Sequence, residues 1–295
     1  MPAGSGGRGG AQNIRVGERT VRLTNPDKIL FPGDDAFGPT TKAELVEYYW
    51  RIAPVMLPHL AGRPVTRKRW PHGTGEAADR ATPPFFTKNL DSGTPEWVAR
   101  GVVVHHEREI TYPLLIEDAS LVWCAQMASI ELHVPQWRLP DAVLAAGQSY
   151  VLHDSGAGVH PDRLVVDLDP GPGAGLAECC EVALAARELL EALGFDSVPV
   201  TSGSKGIHLY AALTGVSAAS ASAFAAELAA SLVAELPALA IMANGMLERT
   251  SSAWRTEPKV EKSRKKISSS ATGTTTIRRA AARCWFSNWP PQARR

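Results

Sequence analysis

The chain has no run of about eighteen apolar residues, the length needed to cross a bilayer, and its N-terminus lacks the apolar segment of a secretory signal. A membrane span and export are therefore not expected, and a cytoplasmic protein is. Cysteine is scarce. Cys124, Cys179, Cys180 and Cys284 have neither zinc-knuckle nor redox-pair spacing, and adjacent Cys179 and Cys180, in an alanine-rich helical stretch, read as small packing residues. Net charge is also nearly absent, at +1. That total hides local basic clusters, in "RPVTRKRW" and from Arg249 onward, which suit phosphates. No internal repeat is present. What remains, 44% hydrophobic and 21% charged over 295 residues, is an ordinary globular composition with enough length for a substantial core.

Residues 1–13 are Gly-rich and polar and are expected to be disordered. "RTVRLTNPDK" reads as a strand through Val21 and Leu23 followed by a turn, and "TTKAELVEYYWRIAPVMLPHL" as a Thr-capped amphipathic helix. "VVVHHEREITYPLLI" reads as a hairpin, "DASLVWCAQMA" as an Asp-capped helix and "SIELHVPQWR" as an alternating strand. "LAECCEVALAARELLEALGF" is a helix with Leu176, Val182, Leu189, Leu190 and Leu193 on or near one face, and an alanine-rich helix follows "SVPVTSGSKGIHLYAAL". Strands and helices mix without a regular βαβ period, so the expected class is α+β around a partly antiparallel sheet.

Two stretches carry chemistry. In "RLVVDLDPGPG" an apolar strand ends in Asp167 and Asp169, whose carboxylates fall on one face about 7 Å apart along the backbone. Such a pair is either a turn signal or a divalent-metal clamp. In "TSGSKGIHLY" Gly203 and Gly206 permit a tight backbone while Ser202, Ser204 and Lys205 supply donors and charge, a phosphate-binding composition without Walker spacing. His208 and Tyr210 share a face of the next strand. An acidic pair and a phosphate loop one helix apart are the minimum for nucleotidyl transfer.

"LVVDLDPG", "SGSKGIHLY", "ELHVPQWR", "GRPVTRKRWP" and "PPFFTK" together resemble the polymerase domain of bacterial ATP-dependent DNA ligase D, of the archaeo-eukaryotic primase superfamily. The resemblance runs from about Arg22 to about Leu239 and implies a primase-polymerase-like domain over residues 14–240. It also implies template-directed nucleotide addition at DNA ends or gaps in non-homologous end joining, with Mn2+ or Mg2+ as metal, nucleoside triphosphates as substrates and Ku and a ligase as partners, in the nucleoid. On the matching positions, Asp167 and Asp169 are metal ligands, Ser202, Ser204, Lys205 and Gly206 hold the triphosphate, and His208 is the second-motif histidine. His133 lies near the nucleotide sugar, Lys68 reaches the phosphates, Phe85 and Phe86 stack on a base, and Lys28 and Lys42 bind the 5′ phosphate across a gap. Arg67 and Arg69 fall on the other strand face from Lys68.

The resemblance breaks toward the end. The family's third metal-ligating aspartate is missing, since no aspartate follows Asp196. Residues 241–295 read as a divergent basic tail, either an extension in which Glu248, Glu257 or Glu261 substitutes as ligand or, as favoured here, the product of a reading-frame shift near residue 240. Two carboxylates hold two hard cations poorly, so activity is in doubt. The alternative is a catalytically inactive DNA-end binding module, and a third option is a metal phosphoesterase using the same aspartates.

Overall fold

A computed structural model describes residues 10–75, 83–105, 108–153, 158–171, 173–203 and 205–236. Ser204, Cys284, the three tail glutamates and the tail itself lie outside the described residues. The fold is mixed α+β, built from small antiparallel sheets and, among the described residues, five helices. The chain divides into two compact units, the first ending at Val151 and the second beginning at Leu152.

The first unit opens with a hairpin, β1 (Gln12–Val16) and β2 (Arg19–Leu23), paired from Gln12↔Leu23 to Val16↔Arg19. β1 thus starts two residues inside the stretch expected to be disordered. Val21 and Leu23 point inward, as their alternation requires. After β3 (Ile29–Phe31) and β4 (Thr40–Thr41), helix α1 (Lys42–Leu60) begins on a capping box, in which the Thr41 side chain accepts from the Glu44 amide and the Glu44 carboxylate accepts from the Thr41 amide at 2.6 Å. α1 buries Leu45, Val46, Tyr49 and Ala53 against α2 (Asp118–Gln126), in one core with Val16, Val21 and Leu23 of the first hairpin. Asp118 sits in the first turn of α2 and Glu117 at its N-cap, one residue earlier than the sequence suggests.

A three-stranded sheet in the order β6–β5–β9 joins β5 (Thr66–Arg69), β6 (Phe85–Thr87) and β9 (Ser129–His133). The hairpin β7 (Arg100–His105) and β8 (Arg108–Pro113) forms as read and is extended by β10 (Tyr150–Leu152), which follows the short α3 (Asp141–Ala146). The register of β9 on β5 slips at one point: Lys68 pairs with Glu131 and Arg69 with Ser129, leaving Ile130 as a bulge. The bulge is pinned from α1, where the buried Tyr49 hydroxyl donates toward the carbonyls of Ser129 at 2.7 Å and Ile130 at 3.0 Å. Burial also pushes the phenol pKa upward, so the hydroxyl keeps its proton. Tyr49→Phe should cost about 1–3 kcal/mol, the penalty for buried carbonyls left unsatisfied. Urea unfolding of both proteins measures it, and a difference below about 0.5 kcal/mol would mean the bulge holds without the hydroxyl.

In the second unit β11 (Arg163–Leu168), β13 (Ile207–Ala212) and β12 (Ser197–Thr201) form a sheet in the order β11–β13–β12. Leu164, Val166 and Leu168 face α4 (Leu176–Ala192) and α5 (Ala218–Glu235), and pack with Leu190, Leu209, Ala211 and Phe224. α4 turns Cys179, Ala183, Ala186 and Leu190 inward, whereas Leu176, expected on that face, is 47% exposed. Cys179 packs as expected of a small apolar residue, and Cys180 is exposed. None of the described helices is long and apolar enough to cross a membrane.

Candidate functional site

The second unit places the two acids as strand geometry demands. Alternation along β11 sends Leu164, Val166 and Leu168 to the helices and Asp167 to the opposite face, and Asp169 follows just past the strand end. Across the ladder Asp167 is paired with His208, which is paired with Val200 on β12. His208 Nε2 lies 3.1 Å from Asp167 Oδ1, and its Nδ1 lies 3.3 Å from the Tyr210 hydroxyl. With Nε2 carrying the proton toward Asp167, Nδ1 accepts from Tyr210. The Tyr210 phenol is held above its ordinary pKa, first by burial, and so stays a donor.

The loop between β12 and β13 closes onto that acidic end. Gly203 has φ +81°, a conformation that side chains resist, and Lys205 is exposed. The Ser202 and Gly206 backbones and side chain are mutually bonded: the Ser202 amide donates to the Gly206 carbonyl and the Gly206 amide to Ser202 Oγ, each at 3.0 Å. The Gly206 amide therefore serves to close the loop. Gly206 itself touches β11, and a Cβ there would lie 2.7 Å from Asp169 Oδ1 and closer still to the Leu168 carbonyl oxygen. This is a cradle with no room for a side chain, formed where the glycine loop meets the acidic strand end. The Asp167 and Asp169 carboxylates are oxygen donors of the kind that hard divalent cations take, whereas both ring nitrogens of His208 are engaged, by Asp167 and by Tyr210. Among the described residues no three His, Cys, Asp or Glu side chains converge as a metal cage.

The first unit assembles a second cluster on the β6–β5–β9 sheet. Lys68 pairs with Phe86 on one side and Glu131 on the other. The Lys68 ammonium lies 2.7 Å from Glu131 Oε1, 5.5 Å from the Phe86 ring centre and 4.8 Å from that of Trp70. His133 Nε2 meets Glu131 Oε2 at 2.9 Å, and its ring stands edge-on to Phe86 at 5.3 Å between centres. Lys68, Phe86 and His133 are thus brought together on one sheet face. Glu131, which joins them, was not singled out. Desolvation works to raise its pKa, but the bonds from Lys68 and His133 outweigh it and hold the carboxyl below the usual range.

Phe85 and Phe86 do not act as one surface. Consecutive strand residues face opposite sides, and Phe85 lies 5.5 Å from the Arg69 guanidinium instead. On that side Arg67 is fully buried, stacked over Trp123 at 4.9 Å and donating to the Asn89 carbonyl at 2.9 Å. The opposition of Lys68 to Arg67 and Arg69 is therefore real. Lys42 is only 6% exposed, because its position at the start of α1 turns it inward, where Nζ donates to the Thr24 carbonyl at 2.9 Å. Burial, then the nearby charges of Lys28 and Arg69, hold its pKa below that of an ordinary lysine. Among the described residues no carboxylate is paired with Lys42, whereas Arg69 beside it is paired with Asp91 at 3.6 Å.

The fold these units make is that of a DNA-ligase polymerase domain. It superposes on the structure titled polymerase domain from Mycobacterium tuberculosis ligase D in complex with DNA, with a TM-score of 0.61 and 43% identity over 74% of this chain and 70% of that one. The model of the family "LigD, primase-polymerase domain" matches residues 41–253, and the chain belongs to that family. The match includes every site residue inferred above except Lys28, and continues past residue 240 into the segment read as divergent. Similar proteins include the multifunctional non-homologous end joining protein LigD of Mycolicibacterium smegmatis, 45% identical over 220 residues, and that of Mycobacterium bovis, 42% identical over 226. These cover 74% and 75% of this chain but only 26% and 27% of the relatives, so the chain spans about a quarter of their length.

Proposed function

We propose that the chain adds nucleotides to DNA ends or gaps in a metal-dependent, template-directed reaction of non-homologous end joining. The observation that carries this reading is the contact of Gly206 with Leu168 and Asp169, which sets the glycine loop directly on the acidic strand end. Asp167 and Asp169 hold Mn2+ or Mg2+, whose chemistry there is to neutralise phosphate charge and lower the pKa of the attacking primer hydroxyl. Lys205, with Ser202 and Ser204, binds the triphosphate, and His208 orients Asp167 through their 3.1 Å contact. Lys68 and His133 bind the nucleotide beside Phe86, whose ring is 59% exposed and stacks on a base of any identity. Phe85, on the other sheet face with Arg69, stacks on DNA, and the Lys28 and Lys42 charges hold a 5′ phosphate. The surroundings that fit are the cytoplasm and nucleoid, with Ku and a ligase as partners.

The second reading, a DNA-end binding module without catalysis, is favoured by one observation: no aspartate follows Asp196 in the chain. Extension of gapped, 5′-phosphorylated DNA with Mn2+ and ribonucleoside triphosphates separates the two. Incorporation that is lost in Asp167→Asn supports the polymerase. Salt-sensitive binding of the same DNA without incorporation supports the module, and hydrolysis of phosphate esters without template would sink both.

A further inference from the structure

Glu131 has no part in the reading above, yet it touches two of the residues on which that reading depends. Each of its oxygens is engaged: Oε1 with the Lys68 ammonium at 2.7 Å and Oε2 with His133 Nε2 at 2.9 Å. A lone ion pair on an open surface contributes little, but this carboxylate bridges two side chains on two strands. Both partners also abut the same aromatic ring, Phe86, from above and from its edge. The bridge depends on the β9 bulge, which is itself pinned by Tyr49, and on the direct pairing of Lys68 with Glu131. The carboxylate is therefore presented by rigid sheet backbone.

We propose that Glu131 is a positioning residue, tying the Lys68 ammonium and the His133 ring into one wall beside Phe86 against which the nucleotide docks. It rests on the nucleotide-binding reading of that sheet face. An ammonium has three donors; one engages Glu131 and the others are directed by that anchor toward a phosphate. An imidazole whose Nε2–H is committed to Glu131 presents Nδ1 as an acceptor in its neutral form, so the carboxylate also selects the His133 tautomer. The negative charge opposes a triphosphate in principle, but it is offset by the Lys68 ammonium it holds, and the gain is orientation of three groups at once.

The test uses the full chain with Mn2+ and ATP, followed by titration calorimetry and by nitrogen-detected NMR of the His133 ring. Glu131→Ala is expected to weaken ATP binding about tenfold and to release His133 from a single Nε2–H tautomer into a mixture. Glu131→Gln, which keeps one acceptor, should recover most of the affinity. On a Lys68→Met background the loss from Glu131→Ala should shrink, because one of its two partners is gone. Unchanged or tighter ATP binding by Glu131→Ala, or an unaltered His133 tautomer, overturns the proposal. If that variant does not fold, Glu131→Leu, closer in volume to the original side chain, takes its place in both measurements and the same outcomes decide. Failure of the unaltered protein to bind ATP would instead remove the nucleotide reading, while the His133 spectrum still decides whether Glu131 holds the ring.

Discussion

Gly206→Ala is expected to lower nucleotide incorporation by about two orders of magnitude, the effect of misplacing reacting groups by roughly 1 Å. The added methyl would meet Asp169 Oδ1 at 2.7 Å and the Leu168 carbonyl more closely. Neither obstacle is a flexible side-chain tip that can swing aside at no cost. One is backbone at the end of a paired strand, and the other is the carboxylate assigned to the metal. The β13 end must therefore lift from β11, or Asp169 must rotate away. The Ser202–Gly206 closure would open with the former. Overpacking of this kind also destabilises by about 1–3 kcal/mol, so incorporation is measured well below the melting temperature, beside manganese titration of both proteins. An alanine variant with unaltered metal affinity and turnover would show that loop and acids work independently.

Lys42→Met should reduce the preference for 5′-phosphorylated over unphosphorylated gaps about 10- to 100-fold, as expected for loss of a charge-assisted contact in a sheltered site. Its folding should not suffer, because an ammonium buried beside Lys28 and Arg69 with only a carbonyl to bond is replaced by an apolar chain of similar length. The pH dependence has a defined sign. Burial and like charge depress the folded pKa of Lys42 below its unfolded value. Its contribution to stability is therefore unfavourable at low pH and is relieved as pH rises through the folded value. Phosphate binding needs the charged form and should weaken over that same alkaline window, before an ordinary lysine would titrate. Lys42→Arg, which stays charged there, should abolish the alkaline loss, and DNA binding against pH with each variant measures it. An unchanged preference for the phosphorylated gap in Lys42→Met would place the 5′-phosphate site elsewhere.

Much of this arrangement could be read from residue order because it follows period-two geometry. Val166 and Leu168 flanking Asp167 fix which face of β11 carries acid, and the Thr41 and Glu44 pair fixes where α1 begins. The same rule makes Phe85 and Phe86 face opposite ways, although the aromatic pair reads more naturally as one platform. Glu131 was legible in principle, as it stands two residues before His133 on a strand. What it meets was not legible, since its pairing with Lys68 depends on a bulge and on Tyr49, eighty residues earlier in the chain than Ser129. The burial of Lys42 depends likewise on the Thr24 carbonyl, eighteen residues earlier and just past the end of β2. α3 and β10 are too short, at six and three residues, to impose a periodic pattern.

The surplus residue Ile130 reverses the alternation of β9. Glu131 and His133 lie on the face of Lys68 and Phe86, but Ser129, two positions back and due by simple alternation on that face, is fully buried. The strand can therefore leave a buried helix, α2, with a core-directed residue and still arrive at the surface with charged ones in step. Deleting one residue here would return the strand to a single phase, bringing either the serine into solvent or the glutamate into the core. Length, rather than side-chain chemistry, is thus the least replaceable property of this strand.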